Sequence, residues 1–140
     1  MSEPIRSQIE VEVRYAETDQ MGVVHHANYL VWFELARTRL CTRSGFHYAD
    51  IEQLGYHLMV TGAEVGYRRG ARYGDTVQIV CWIDRLSSRG LRFAYEARRE
   101  EQILATGATE HVWVEATTGK IRQMPELLRE PFGKLAGKGE

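Results

Sequence analysis

Cysteine and proline are scarce in this chain, two and three respectively in 140 residues. Two cysteines, Cys41 and Cys81, are too few for the disulfide framework of a small secreted domain. No apolar run approaches the roughly 18 residues of a membrane-spanning helix. An excess of one charge is also lacking. The 18 Lys and Arg against 19 Asp and Glu give a formal net charge of -1, without the basic surplus expected of a nucleic-acid binder. The opening MSEPIRSQIEVEV is charged and alternating and has no apolar centre of the kind a signal peptide carries. Internal repeats and low-complexity segments are missing. What is present is 44% hydrophobic residues, enough for one core in one domain. The expectation is a single domain over residues 1–132 that ends in a short helical piece, a mobile tail over 133–140, and a reducing, cytoplasmic setting.

Period-two alternation marks Gln8–Tyr15 as a half-buried strand, with Ile9, Val11, Val13 and Tyr15 on one face. A polar loop follows. Residues 27–43 read as one long helix, in which Tyr29, Trp32, Phe33, Ala36 and Leu40 keep helical spacing. Leu30, Val31 and Leu35 widen its apolar surface, so it is expected to be buried on most sides. A short helix is predicted over 47–54. Strands are predicted over 56–67, 76–86, 91–98 and 103–116, separated by turns such as SSRG and TTGK. Strands joined by tight turns imply an antiparallel sheet. One apolar helix against such a sheet is an α+β layer arrangement, and a curved sheet would cover more of that helix.

The segment from Tyr15 to Tyr29 carries the most chemistry. It leaves a strand, crosses a loop and enters the buried helix. A helix start offers free N–H groups and about half a positive charge, which suits an anion or a polarised carbonyl oxygen. Asp19 lies seven residues before His26, close enough to fold back toward that end. A carboxylate there can act as a general base for water or as a nucleophile. Asp and Thr before a helix are also ordinary turn and capping residues, and spacing alone leaves both readings open.

The stretch D19-Q-M-G22-V-V24-H-H-A-N-Y29 resembles the D-x-x-G-x-V-x-x-x-x-Y signature of the 4-hydroxybenzoyl-CoA thioesterase family. With Tyr15 upstream and His26 before the helix, it is most similar to the YbgC-like branch of acyl-CoA thioesterases. The turns R68-R-G-A-R-Y-G74-D75 and S87-S-R89-G90 also resemble the family. The resemblance spans about residues 8–130. It implies a hotdog fold, a long central helix wrapped by a curved antiparallel sheet, with active sites at a homodimer interface and dimers paired into tetramers. It implies hydrolysis of an acyl-CoA thioester to a free acid and coenzyme A, without a bound cofactor. Asp19 then matches the catalytic aspartate, His26 the helix-start position whose N–H polarises the carbonyl and whose side chain is also assigned a role, and Tyr15 a catalytic tyrosine. Gly22, Val24 and Tyr29 are the substrate-side positions of the signature. Val60 is expected to line the acyl pocket from the partner subunit.

The other reactive side chains read more blandly. Glu34 is expected to pair with Arg37 or across the dimer, and His25 to face solvent. Cys41 and Cys81 fall on apolar faces as buried thiols. The five histidines lack metal-ligand spacing, and no metal is expected. Arg68, Arg69, Arg72, Arg85, Arg89 and Arg92 form a local basic set. The guanidinium fork suits coenzyme A phosphates, Arg89 being the chosen contact, although charged strand edges also discourage aggregation. The rival function is a hotdog module that binds acyl-CoA or acyl carrier protein without catalysis; a hotdog dehydratase would call for a different His–carboxylate arrangement.

Overall fold

The structure is a computed structural model and describes residues 2–138. The alternating N-terminal segment forms β1 (Ser7–Glu12). It stops short of Tyr15, because Tyr15–Glu17 turns as a single 3-10 unit. The long periodic segment forms α1 (Ala27–Thr42), and a short helix, α2 (Tyr48–Gln53), follows. Then come β2 (Tyr56–Tyr67), β3 (Thr76–Leu86), β4 (Gly90–Arg99) and β5 (Gln102–Glu115). A two-residue β6 (Ile121–Arg122), a 3-10 turn at Glu126–Leu128 and α3 (Arg129–Leu135) close the domain.

Every pairing is antiparallel, in the order β1-β3-β4-β5-β2, with β6 added on β5. β3, β4 and β5 are hairpin neighbours, as their short turns require. β2 precedes them in sequence yet lies at the far edge, beyond β5. β1 and β2 are therefore the two free edges.

One face of the sheet and one face of α1 make the core. Val77, Ile79, Cys81 and Ile83 alternate inward on β3, and Leu91, Phe93, Tyr95 and Ala97 on β4; all are buried. Tyr29, Trp32, Phe33, Ala36 and Leu40 supply the helix side. The Phe33 ring stacks on Tyr95 with centroids 4.3 Å apart and planes within 2°. Its edge occupies the space beside Gly107, where an added Cβ would sit 2.6 Å from the ring.

Two expectations need correcting. α1 is not buried on most sides within one chain: Leu30, Val31 and Leu35 are 38%, 54% and 51% exposed. Its backbone lies nearest β1 and β3, Phe33 reaches across to Tyr95 of β4 and Gly107 of β5, and the Leu30, Val31 and Leu35 side stays uncovered. The segment from 133 onward does not begin a loose tail either. Leu128, Phe132 and Leu135 are spaced as one helical face and are buried, Phe132 against the edge of Trp113. Ser2 N–H donates to the Gly137 carbonyl at 2.9 Å, tying the two ends of the described chain together. Residues 139–140 lie outside the described residues. Among the described residues no helix is long and apolar enough to cross a membrane.

Candidate active site

The loop between the 3-10 turn and α1 is held by a buried carboxylate, Glu17. Its Oε1 accepts the Arg14 backbone N–H at 2.8 Å, and its Oε2 accepts the Trp32 indole N–H at 3.2 Å. Its carbonyl accepts the His25 N–H at 2.8 Å and the Asn28 side-chain amide at 3.0 Å. A carboxylate removed from water requires such partners. Through them Glu17 anchors the loop to the first two turns of α1.

Asp19 sits on the tight turn that follows. Its backbone N–H donates to the Val23 carbonyl at 2.9 Å, and the Gly22 N–H returns to the Asp19 carbonyl at 3.0 Å. Gly22 takes φ +81° there, a left-handed conformation that costs glycine little. Asp19 Oδ1 accepts the Met21 and Val23 amides at 2.9 and 3.4 Å. Oδ2 has no partner among the described residues. The turn chemistry therefore takes one carboxylate oxygen and leaves the other to solvent.

α1 starts at His26 without a side-chain cap of its own. His25 supplies one instead. Its Nδ1 accepts the Ala27 N–H at 3.2 Å, and its ring stacks on His26 with centroids 4.3 Å apart. His25 is exposed, as expected, but it is also the cap. The Asn28 N–H is taken by the His25 carbonyl, and the Tyr29 N–H by the His26 carbonyl. The His26 N–H has no acceptor among the described residues.

An open crevice of about 320 Å³ joins these groups. Asp19, Val24, His26, Tyr29 and Tyr67 line it, with Arg68 and Arg69 at its side. Tyr67 donates its hydroxyl to the His26 carbonyl at 3.2 Å and sets its ring edge against Tyr29. Burial pushes the Tyr29 hydroxyl above its ordinary pKa, with the Ala71 backbone opposing the shift. That phenol stays neutral at physiological pH. Asp19 also walls a second open crevice, shared with Tyr15, Thr18 and Gly22. Tyr15 is 76% exposed there, its ring edge on Tyr73. Asp19 thus stands between Tyr15 on one side and His26 on the other.

The remaining candidates lie elsewhere. Val60 is 44% exposed on the free edge of β2, opposite His111. It is seven residues from Tyr67, about 23 Å along a strand. Arg89 occupies the β3–β4 turn. β3 starts beside the Asp19 loop, where Thr76 pairs with Glu12, and runs about 33 Å to Leu86 at the Arg89 end. One chain does not bring either residue to the crevice. Arg85 and Arg92 are engaged by Glu110 and Asp84. Arg68 and Arg69, from the same basic set, line the crevice with Asp19, and Arg72 lies against the same turn, bridged to Val23 with its guanidinium beside Gly22. Tyr67 and Glu17 were not legible as site residues. Tyr67 read as the end of a weakly alternating strand, and nothing distinguishes Glu17 from a solvated loop acid. Of the two pairings expected for Glu34, the one with Arg37 does not form within the chain; Glu34 is exposed.

The sequence model of the thioesterase-like superfamily matches residues 13–132, nearly the whole domain. The chain belongs to the thioesterase-like superfamily. Among its thioesterase-like relatives, YneP of Bacillus subtilis strain 168 is 39% identical over 115 residues, 81% of this chain and 83% of that protein. The acyl-CoA thioester hydrolase YbgC of Escherichia coli O6:H1 is 28% identical over 123 residues, 87% and 92% of the two chains. The crystal structure of the DHNA-CoA thioesterase from Staphylococcus aureus superposes with a TM-score of 0.89 at 33% identity, covering 94% of this chain and 91% of that one. The α+β hotdog fold of the thioesterase-like superfamily, read from the resemblance, is the fold found.

Proposed function

We propose that the protein hydrolyses an acyl-CoA thioester to a free carboxylic acid and coenzyme A. One observation carries the reading: Asp19 and His26 line one crevice at the start of α1, and a carboxylate oxygen of the first and the backbone N–H of the second have no partner among the described residues. A thioester carbonyl oxygen placed there accepts the His26 N–H, and the helix start favours the charge that develops on it. Asp19 then either takes a proton from an attacking water or attacks the carbonyl carbon itself. In both routes the carbon–sulfur bond breaks and the coenzyme A thiolate leaves. Water attack gives the free acid directly, with its proton held by Asp19, whereas attack by Asp19 leaves a mixed anhydride that a water molecule then cleaves to the free acid and the regenerated carboxylate. The His26 imidazole, exposed at the rim, and the Tyr15 hydroxyl, beyond Asp19, are the assisting groups. Gly22 and Val24 shape the turn and wall, and Tyr29 gives the crevice an aromatic floor. The relatives named as acyl-CoA hydrolases support the reaction class. Coenzyme A enters as part of the substrate, and no resident cofactor or metal is required.

The reading includes assembly in the cytoplasm as a homodimer, paired further into a tetramer. β2 is a 12-residue strand with one unpaired edge and exposed Met59, Val60 and Tyr67, and free edges of that kind are normally covered. A two-fold pairing supplies Val60 and Arg89 of the partner subunit as candidates for acyl and phosphate contacts.

Thiol release measured over a panel of aromatic and aliphatic acyl-CoAs tests the reading. Asp19→Ala and Asp19→Asn are expected to lower kcat by at least about 100-fold with the melting temperature nearly unchanged, since Asp19 is exposed. Turnover close to wild type in either variant removes Asp19 from the mechanism. Tight acyl-CoA binding by the wild type without any thiol release would make the protein a binding module.

A further inference from the structure

A third cavity, of about 190 Å³, lies between α1, α2, β2 and β4. Tyr48, Leu58 and Phe93 form aromatic and apolar walls, and Arg37 projects into it from the third turn of α1. A guanidinium carries five N–H donors. Only one finds an acceptor among the described residues, the Tyr95 hydroxyl at 3.4 Å. Among the described residues no carboxylate lies within salt-bridge reach of Arg37; Glu34, which also lines the cavity and is exposed, does not pair with it. Tyr95 is fixed in turn by Thr109 Oγ1 at 2.6 Å, which meets His111 Nε2 at 2.8 Å. Arg37 lines the cavity and is held by a phenol that is itself fixed; its other donors are not among the buried unpartnered atoms, so they reach solvent and are free to meet a ligand's oxyanion.

The cavity is too far from the crevice of its own chain to serve it. From His26 to Arg37 is 11 residues, about 16 Å along the helix. On β2 the crevice residue Tyr67 and the cavity residue Leu58 are nine residues apart, about 30 Å. Antiparallel pairing of β2 with a second copy reverses that order. The Leu58 end of one copy then lies against the Tyr67 end of the other, and crevice and cavity meet across the two-fold axis.

Building on the hydrolase reading above, we infer that this cavity receives the acyl end of the thioester held at the partner subunit's crevice, and that Arg37 selects acyl groups ending in a carboxylate. The aromatic walls hold the body of the acyl group, and the guanidinium takes the terminal oxyanion in a charge-assisted hydrogen bond. The substrate class is the monothioester of a dicarboxylic acid.

The test compares matched pairs, adipoyl-CoA against hexanoyl-CoA and 4-carboxybenzoyl-CoA against benzoyl-CoA, with the full chain. The wild type is expected to favour the carboxylate member of each pair by about 10- to 100-fold in kcat/KM, the range for a charge-assisted hydrogen bond. Arg37→Leu abolishes the preference while the neutral members change little, and Arg37→Lys keeps part of it. No preference in the wild type, or the same preference in Arg37→Leu, overturns the assignment. A uniform fall over all four substrates with a lowered melting temperature assigns Arg37 to structure alone and also overturns it. Mixing Asp19→Ala with Arg37→Leu subunits tests the geometry. If the two groups act across the interface, half the dimers are mixed and each holds one intact site, so activity on adipoyl-CoA returns to about a quarter of wild type. If they act within one chain, mixing restores nothing. Should no acyl-CoA be hydrolysed, the hydrolase reading falls, and the same pairs are compared by Kd; equal values then overturn the role of Arg37 as well.

Discussion

Glu17 and His111 show what single buried polar groups do in this protein. Glu17 satisfies the Trp32 indole N–H and the Arg14 amide at once. Glu17→Ala leaves the indole buried without an acceptor, at a cost of about 1–3 kcal/mol. It also frees the loop that carries Asp19. Lower stability and lower kcat are expected together, with Glu17→Gln recovering much of both because its amide oxygen can still accept. Unchanged kcat in a folded Glu17→Ala variant would separate the anchor from the site. His111 acts through pH. Burial, helped by the positive charge of Arg37, pushes its pKa down to about 4 from an ordinary 6.5. The folded protein therefore keeps the ring neutral where the unfolded chain takes up a proton. Stability is full above pH 6.5, falls as pH drops from 6.5 to 4, and levels off below 4 as far as this residue is concerned. The loss is about 3 kcal/mol over that window. Urea midpoints at pH 7, 5.5 and 4.5 should show that slope in the wild type and a shallower one in His111→Gln; parallel slopes would assign the acid sensitivity to other groups.

At the scale of elements, the strongest constraint is the seat of α1 on the sheet. Gly107 is glycine because Phe33 lies over it: a Cβ would meet the ring at 2.6 Å and the Glu64 carbonyl at 2.8 Å. The carbonyl belongs to the neighbouring strand backbone and cannot swing aside. Gly107→Ala is expected to lower stability by about 1–3 kcal/mol, the usual penalty of overpacking. Gly62→Ala is the control, since its Cβ would meet only the flexible Glu110 side chain at 3.6 Å, and its midpoint should move much less. A Gly107→Ala midpoint equal to that of Gly62→Ala would mean that α1 can shift. The sequence showed these elements where their periodicity was strong. α1 and β3 lie where the 3.6- and 2-residue patterns put them, and the inward faces of β3 and β4 are the alternating ones; β2 alternates only weakly, and its bounds were legible from Gly55 before it and the polar RRGARYGD after it. It did not show how far the helix is covered, because an apolar surface is the same in sequence whether its own sheet or another chain packs on it. The C-terminal helix was legible only as a short helical piece, and its packing was not: ELLREPFGKL carries a proline and a glycine, and its Leu128, Phe132 and Leu135 spacing gains meaning only when Trp113 is placed beneath it.

On the scale of the whole molecule, the loop aspartate and the helix start are neighbours in sequence and were readable together, whereas Tyr67, Arg68 and Arg69 reach the crevice only through the pairing of β2 with β5. Val60 and Arg89 are still farther off, and within one chain they have no common site with Asp19. In the proposed assembly the free edge of β2, which carries Val60, is the edge through which a second copy would bring them to the crevice. Met59 lies on that strand, exposed. Met59→Lys places a solvated charge where a second β2 would pack, a device that natural edge strands use to prevent pairing. Light scattering should find the wild type dimeric or larger and Met59→Lys shifted to monomer, with the far-ultraviolet spectrum retained because the substitution faces outward. Thiol release should fall with the dimer fraction, although Asp19 and His26 are untouched in each monomer. Full activity in a demonstrated monomer would mean that one crevice suffices, and would leave Val60 and Arg89 without a part in the reaction.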